Sequence, residues 1–256
     1  MSYLVAFLIV VASAATAAGA SLVVNRFVSM DLRRRYANEG ARIFAQLGTL
    51  FALLLAFVFN QVWAEHTAAA QAINGECGAL YGAAVLADAL PDHAGRSVNL
   101  AITTYTRTVV DEEWRTMATR RSGSAAAMEK FRLVIQQIVL LDPTSRSDVA
   151  IQSQMLSLLS VAKSYRETRI FQVDQGLPFV LWFVLDVLAV SLIALVAAWP
   201  TEGVGHVLFA SVFTATIVMV LTLVPLLDFP FEGSVSLPPT DFVKLLAEVS
   251  AAAAGR

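Results

Sequence analysis

Polar side chains set inside a hydrophobic run are where this sequence could do chemistry. In the apolar stretch 43–63 (IFAQLGTLFALLLAFVFNQVW) the uncharged polar groups are Gln46, Thr49, Asn60 and Gln61. At about 100° per residue, with Gln46 as origin, Thr49 falls near −60°, Asn60 near −40° and Gln61 near +60°. They share one face with Leu50, Leu53 and Phe57 between them, whereas Phe44, Leu47, Phe51, Leu55 and Phe59 point the other way. Polar mouths around an apolar waist describe a water-filled pore with a hydrophobic constriction, lined by Gln46, Thr49, Leu53, Phe57 and Asn60. Arg42 continues the stripe to an inner mouth, where a ring of guanidinium groups in an oligomer favours anions. The same arc also fits a second reading, in which these groups hydrogen-bond neighbouring helices in the interior of a monomeric bundle.

Asp186 is the acid well inside a second apolar stretch. A carboxyl at that depth is either functional or a hydrogen-bonded packing group, and Ser13, Thr16 and Thr216 lie at comparable depths. Other chemistry has little support. His66, His93 and His206 lack the close spacing of metal ligands and read as surface or interface residues. Cys77 is the single cysteine, so neither an intramolecular disulfide nor a CxxC pair can form. Asp111, Glu112 and Glu113, flanked by Arg107 and Arg115, read as a solvated helix face. Gly203-Val204-Gly205 reads as a turn rather than a phosphate loop. With no nucleophile and base in view, an enzyme is the least supported class, and no cofactor or metal is expected.

These residues need a membrane to position them. The chain is 57% hydrophobic and 15% charged, and the apolar excess sits in four blocks, each about the 20 residues that span a hydrocarbon core. The blocks are 3–24, 43–63, 179–199 and 206–227. A net charge of −2 gives no footprint for nucleic acid. Arg26, Arg33, Arg34, Arg35 and Arg42 lie in the short link between the first two spans, which the positive-inside rule places in the cytoplasm. Both termini and residues 64–176 are then expected outside. With no basic residue ahead of it, the first block reads as a retained span rather than a cleaved leader.

Beyond residue 63 the chain turns alanine-rich, with no proline before Pro91, so the second span is expected to continue unbroken as a helix into the polar section. Apolar positions there recur at helical spacing: Val98, Ile102, Tyr105 and Val109; Phe131, Ile135 and Ile138; Ile151, Met155, Leu158, Ala162 and Tyr165. Breaks fall at Pro91, at 121–124 and at 142–144, with Ser145 and Asp148 spaced as a capping box. The expected fold is therefore all-α: four transmembrane helices plus an extramembrane antiparallel helical bundle continuous with the second span. Its divisions are 1–63 (with the basic link 25–42), 64–176, 177–227, and a proline-rich tail 228–256. That tail ends in a short amphipathic helix capped by Thr240, with Phe242, Leu245, Leu246 and Val249 on one face. Gly75, Gly78 and Gly82 leave a small-residue edge suited to helix packing or an oligomer interface.

With these segments placed, the sequence resembles the bestrophin-like family of mostly bacterial four-span membrane proteins. The resemblance is carried by LGTLFALLLAFVFNQVW, the acid in NGECGAL, YTRTVVDEEW, TRIFQVDQGLPFVLW and the tail around DFPFEGSVS, in that order. It implies likeness to bestrophins, pentameric anion channels whose pore is built by the second span. From it follow a homo-oligomer in a bacterial inner membrane and chloride or another small ion as the permeant species. Two departures stand out. Glu232 replaces an expected serine, and bestrophins place their large domain in the cytoplasm, whereas the arginine count puts this one outside. The alternative is a non-conducting sensor or scaffold whose outer bundle binds a ligand or partner.

Overall fold

The computed structural model describes residues 2–90, 92–201 and 203–254. Pro91, expected to break the chain, lies outside the described residues. Among those described the chain is helical, with no strand: α1 (Tyr3–Phe27), α2 (Met30–Arg35), α3 (Ala37–Ala87), α4 (Asp92–Thr108), a π-helical turn (Val109–Glu113), α5 (Trp114–Arg120), α6 (Ala125–Val139), α7 (Arg146–Asp174), α8 (Phe179–Ala197), α9 (Val204–Leu227) and α10 (Thr240–Ala254). Helices α1, α3, α8 and α9 are long and apolar enough to cross a membrane. Helix α3 runs for 51 residues without interruption, in keeping with a sequence that offers it no proline.

Two compact units share the chain. The first comprises Met1–Ala64, Gly176–Asp228 and Gly233–Val235, and the second Glu65–Gln175, Phe229–Glu232 and Ser236–Arg256. In the first, α1 packs along α9, burying Ala17 and Ser21. Small residues allow that approach where lipid supplies no hydrophobic drive. Phe51, Val58 and Val62 of α3 form a core with Leu185, Ala189 and Leu192 of α8 and Ile217 and Val224 of α9. The chain enters α8 behind Pro178, which stands as the cap just before the helix. Asp228 accepts the Leu177 backbone N–H at 3.1 Å. His206, read as a surface or interface residue, is buried within the subunit: its ring meets the Thr201 hydroxyl at 2.7 Å and the Ala197 carbonyl at 3.2 Å, tying down the α8–α9 link.

In the second unit the latter half of α3 packs with α4, α6 and α7, and Val98, Ile102, Tyr105, Val109, Phe131, Ile138, Met155 and Ala162 are all buried. Ser124 caps α6, and Ser145 with Asp148 forms the reciprocal capping box of α7. Bonds from Ser145, foremost, and Thr144 hold the Asp148 carboxyl below the usual carboxylate range. The tail helix α10 lies on this bundle, burying Phe242, Leu245 and Val249. Thr240 is its first helical residue, and the Pro239 carbonyl just before it accepts the Val243 N–H at 3.0 Å.

Glycines on these helices face different neighbours. A Cβ at Gly95 would lie 2.2 Å from the Ala87 carbonyl oxygen, whereas one at Gly78 meets nothing within 4 Å. Gly95→Ala should therefore destabilise by about 1–3 kcal/mol, because backbone must move to admit the methyl. Gly78→Ala should be neutral or stabilise by up to about 1 kcal/mol through helix propensity. Thermal unfolding of the two detergent-solubilised variants checks the opposite signs.

Candidate functional site

Which face of α3 the membrane unit leaves open is decided by its aromatic and aliphatic edge. Phe44 packs against Phe213 (ring centroids 5.6 Å) and Trp199 (6.4 Å), and Gly48 sits opposite Leu192. With Phe51, Val58 and Val62 also turned into the core, the opposite face has no cover within the subunit. Arg42, Gln46, Thr49, Leu50, Leu53, Phe57 and Asn60 are all exposed, Leu53 at 70% and Phe57 at 60%. The Thr49 hydroxyl donates to the Ala45 carbonyl at 2.9 Å, which satisfies its proton and leaves its lone pairs outward. Gln61, at the edge of the arc, is half-buried. Gln46, Thr49 and Asn60 are thus exposed on the single subunit, whereas Gln61 is partly covered by it.

Asp186 lies on the flank of α8, exposed among Phe183, Val187 and Val190. Of the three small-residue positions, Gly75 faces the Tyr165 ring of α7 and Gly82 faces Leu158, so both serve helix packing within the bundle, while Gly78 opens outward.

Sequence reasoning missed a second constellation, in the helical bundle. Glu76 of α3, Glu113 of the π turn, and Arg166 and Arg169 of α7 are buried together. Arg169 donates from Nε to Glu76 Oε2 at 2.9 Å and from Nη2 to Glu113 Oε2 at 2.9 Å, bridging the two acids. Arg166 and the Ser124 backbone N–H (3.0 Å) both donate to Glu113 Oε1. The Tyr105 hydroxyl donates to Glu76. Arg169 is also flanked by the Trp114 and Phe242 rings, at 5.6 and 5.2 Å from their centroids. Two carboxylates against two guanidinium groups leave no net charge, which is the condition for burying them.

Glu113 is therefore no part of a solvated face, and the π turn accounts for this. Tyr105, Val109, Glu113 and Met117 follow one another at four-residue spacing and are all fully buried. On a regular helix such a ladder drifts by about 40° per step. The π turn takes up one extra residue and restores the phase, as such bulges do. The signal was present in α7 too, where Ala162, Arg166, Arg169 and Val173 put two arginines on the apolar stripe.

Burial shifts the neighbours of this network. Although burial works against its charge, the carboxylates of Glu76 and Glu113 hold the Arg169 guanidinium firmly protonated. Burial first, then the Glu76 charge, pushes the Cys77 thiol and the Tyr105 phenol up. These groups are kept as proton donors or inert packing, and the cluster presents no free nucleophile.

A family model, the bestrophin-like domain, matches residues 11–242. No curated protein matches the chain. Among solved structures it is similar to a variant of a bacterial bestrophin homologue from Klebsiella pneumoniae, with a TM-score of 0.73 at 13% identity, over 93% of this chain and 97% of that one. A second variant of that homologue aligns with a TM-score of 0.72 at 13% identity, over 94% and 99%. At this identity the likeness is one of fold.

Arg169→Met should cost about 3–5 kcal/mol, since it leaves two buried carboxylates without their bridge. Combined with Glu76→Gln the loss should fall short of the summed single losses by about 1–3 kcal/mol, read by chemical unfolding of the four proteins in a double-mutant cycle. Because folding raises the Cys77 and Tyr105 pKa values, their contribution is complete below the unfolded values. It declines as pH climbs past about 8.5 and then about 10. Unfolding midpoints measured from pH 7 to 11 should drop over that window, and Cys77 should resist maleimide until the chain unfolds.

Proposed function

We propose that this chain, which belongs to the bestrophin-like family, is one subunit of a homo-oligomeric ion channel whose path is walled by the uncovered face of α3 from each copy. The observation that carries this reading is the exposure of Gln46, Thr49, Leu53, Phe57 and Asn60 on a membrane-spanning helix whose other side packs into the subunit through Phe51, Val58 and Val62. Hydrocarbon is a poor partner for glutamine and asparagine side chains, whereas water held between copies of the same face satisfies them. Leu53 and Phe57 then form a waist that gates by excluding water, and Arg42 from each copy forms a cationic ring that favours chloride or another small anion. Five copies would match the bestrophin assembly that the resemblance implies.

Asp186 fits the same scheme. A carboxyl exposed on α8 is costly against lipid chains, so a neighbouring copy is its natural cover. The five arginines of the α1–α3 link orient the subunit with that link in the cytoplasm of a bacterial inner membrane and with residues 64–176 and both termini outside. A periplasm-active reporter fused to the C-terminus should be active; silence would reverse the orientation.

Planar-bilayer recording of the purified full chain tests the channel directly. Single-channel currents are expected, with Phe57→Ala raising the open fraction through a wetter waist and Arg42→Glu moving the reversal potential toward cation preference. A chain that assembles but conducts at no voltage would leave the scaffold reading in its place, and a conductance that ignores Phe57→Ala would overturn the placing of the waist on α3.

A further inference from the structure

At the end of the spans away from Pro178, the membrane unit holds a pocket of about 360 Å³ walled by Val28, Leu32, Ile43, Leu195, Trp199 and Pro200. Its size falls within the roughly 300–1,000 Å³ of small-molecule sites. Arg33 lines it and is 6% exposed. Its Nη1 donates to Asn25 Oδ1 at 2.8 Å and to the Trp199 carbonyl at 3.1 Å, but its Nε is buried with no hydrogen-bond partner. An arginine fixed on one side and unsatisfied on the other, beside an apolar hollow, lacks an acceptor of the kind it normally holds. The short link around it carries five arginines against the acids Asp31 and Glu39, the latter at the pocket. Its position among the ends of three spans, beside the indole of Trp199, is that of a lipid interface.

We propose that this pocket binds an anionic phospholipid, with its phosphate on the Arg33 guanidinium and an acyl chain along Leu32, Ile43 and Leu195. The phosphate supplies the missing acceptor as a charge-assisted, fork-shaped contact that suits arginine. The chain lies along the apolar part of the wall, away from Arg33 and Glu39. The surrounding arginines raise the local concentration of anionic headgroups without choosing where one docks. This inference stands apart from conduction, since a scaffold could hold the same lipid.

The test uses the full chain reconstituted in vesicles of equal phosphatidylglycerol and phosphatidylcholine, extracted in mild detergent and analysed by native mass spectrometry. Phosphatidylglycerol should be retained over phosphatidylcholine by about fivefold, the preference that one well-placed arginine gives toward an anionic headgroup. Gly40 lines the pocket and a Cβ there meets nothing within 4 Å, so Gly40→Leu fills the hollow and leaves the helix intact. That variant, and Arg33→Gln if it folds, should bring the ratio back to that of the vesicle. Equal retention of both lipids by the unaltered chain would overturn the proposal. So would a preference that survives Gly40→Leu, since it would then belong to the surface arginines alone. Displacement of the retained lipid by inorganic phosphate would show that the site reads the phosphate and not the chain, which overturns the lipid assignment.

Discussion

Two acids and two arginines buried against one another organise the helical bundle. Glu76, Glu113, Arg166 and Arg169 come from three separate stretches of sequence, and none could be buried without the others. Such a cluster adds little net stability over a well-packed apolar core, but it fixes register. Arg169 can reach both carboxylates only when α3, α7 and the π turn are in one relative setting. The aromatic rings of Trp114 and Phe242 around it, and the Ser124 N–H on Glu113, extend the same constraint to α5, α6 and α10. The unusual helical turn at Val109–Glu113 is the local consequence, since it turns an acid inward that a regular helix would carry out of phase.

The membrane unit obeys a different rule. Water gives no drive for its helices to associate, so contacts rest on shape, as with Phe44 between Phe213 and Trp199. That aromatic seat, together with Phe51 and Val58, sets the rotation of α3 and so determines which of its residues the subunit leaves bare. The proposed conducting face is then a by-product of packing on the other side of the same helix. A side chain that loosens Phe44 would act on that face without touching it.

Much of this architecture was legible because its signals are local. Four apolar runs, the absence of proline through 64–90, and the Ser145–Asp148 spacing each act within a few residues, and the helices follow them. The charge network was not read, although its members lie in the very segments that carried the family resemblance: Glu76 in NGECGAL, Tyr105 and Glu113 in YTRTVVDEEW, Arg169 in TRIFQVDQGLPFVLW. The obstacle was physical. Acids beside arginines at short spacing look solvated, and the hints that some face inward are the four-residue ladder Tyr105, Val109, Glu113, Met117 and the two arginines on the apolar stripe of α7. His206 was misjudged for a similar reason, because its partners are a backbone carbonyl and a link threonine that no spacing rule connects to it.

The Trp114 indole donates to the Leu237 carbonyl at 3.0 Å and rests between Phe231 and Phe242, so the bundle borrows part of its core from sequence that follows the fourth span. During synthesis, residues 65–175 would leave the ribosome long before Phe242 and Leu245 exist to cover them. That section must wait, incompletely closed and open to quality-control proteases, until translation has passed α9. Ribosome stalling or truncation anywhere upstream of α10 would yield an unsealed bundle, marking the product for disposal before it could join an assembly.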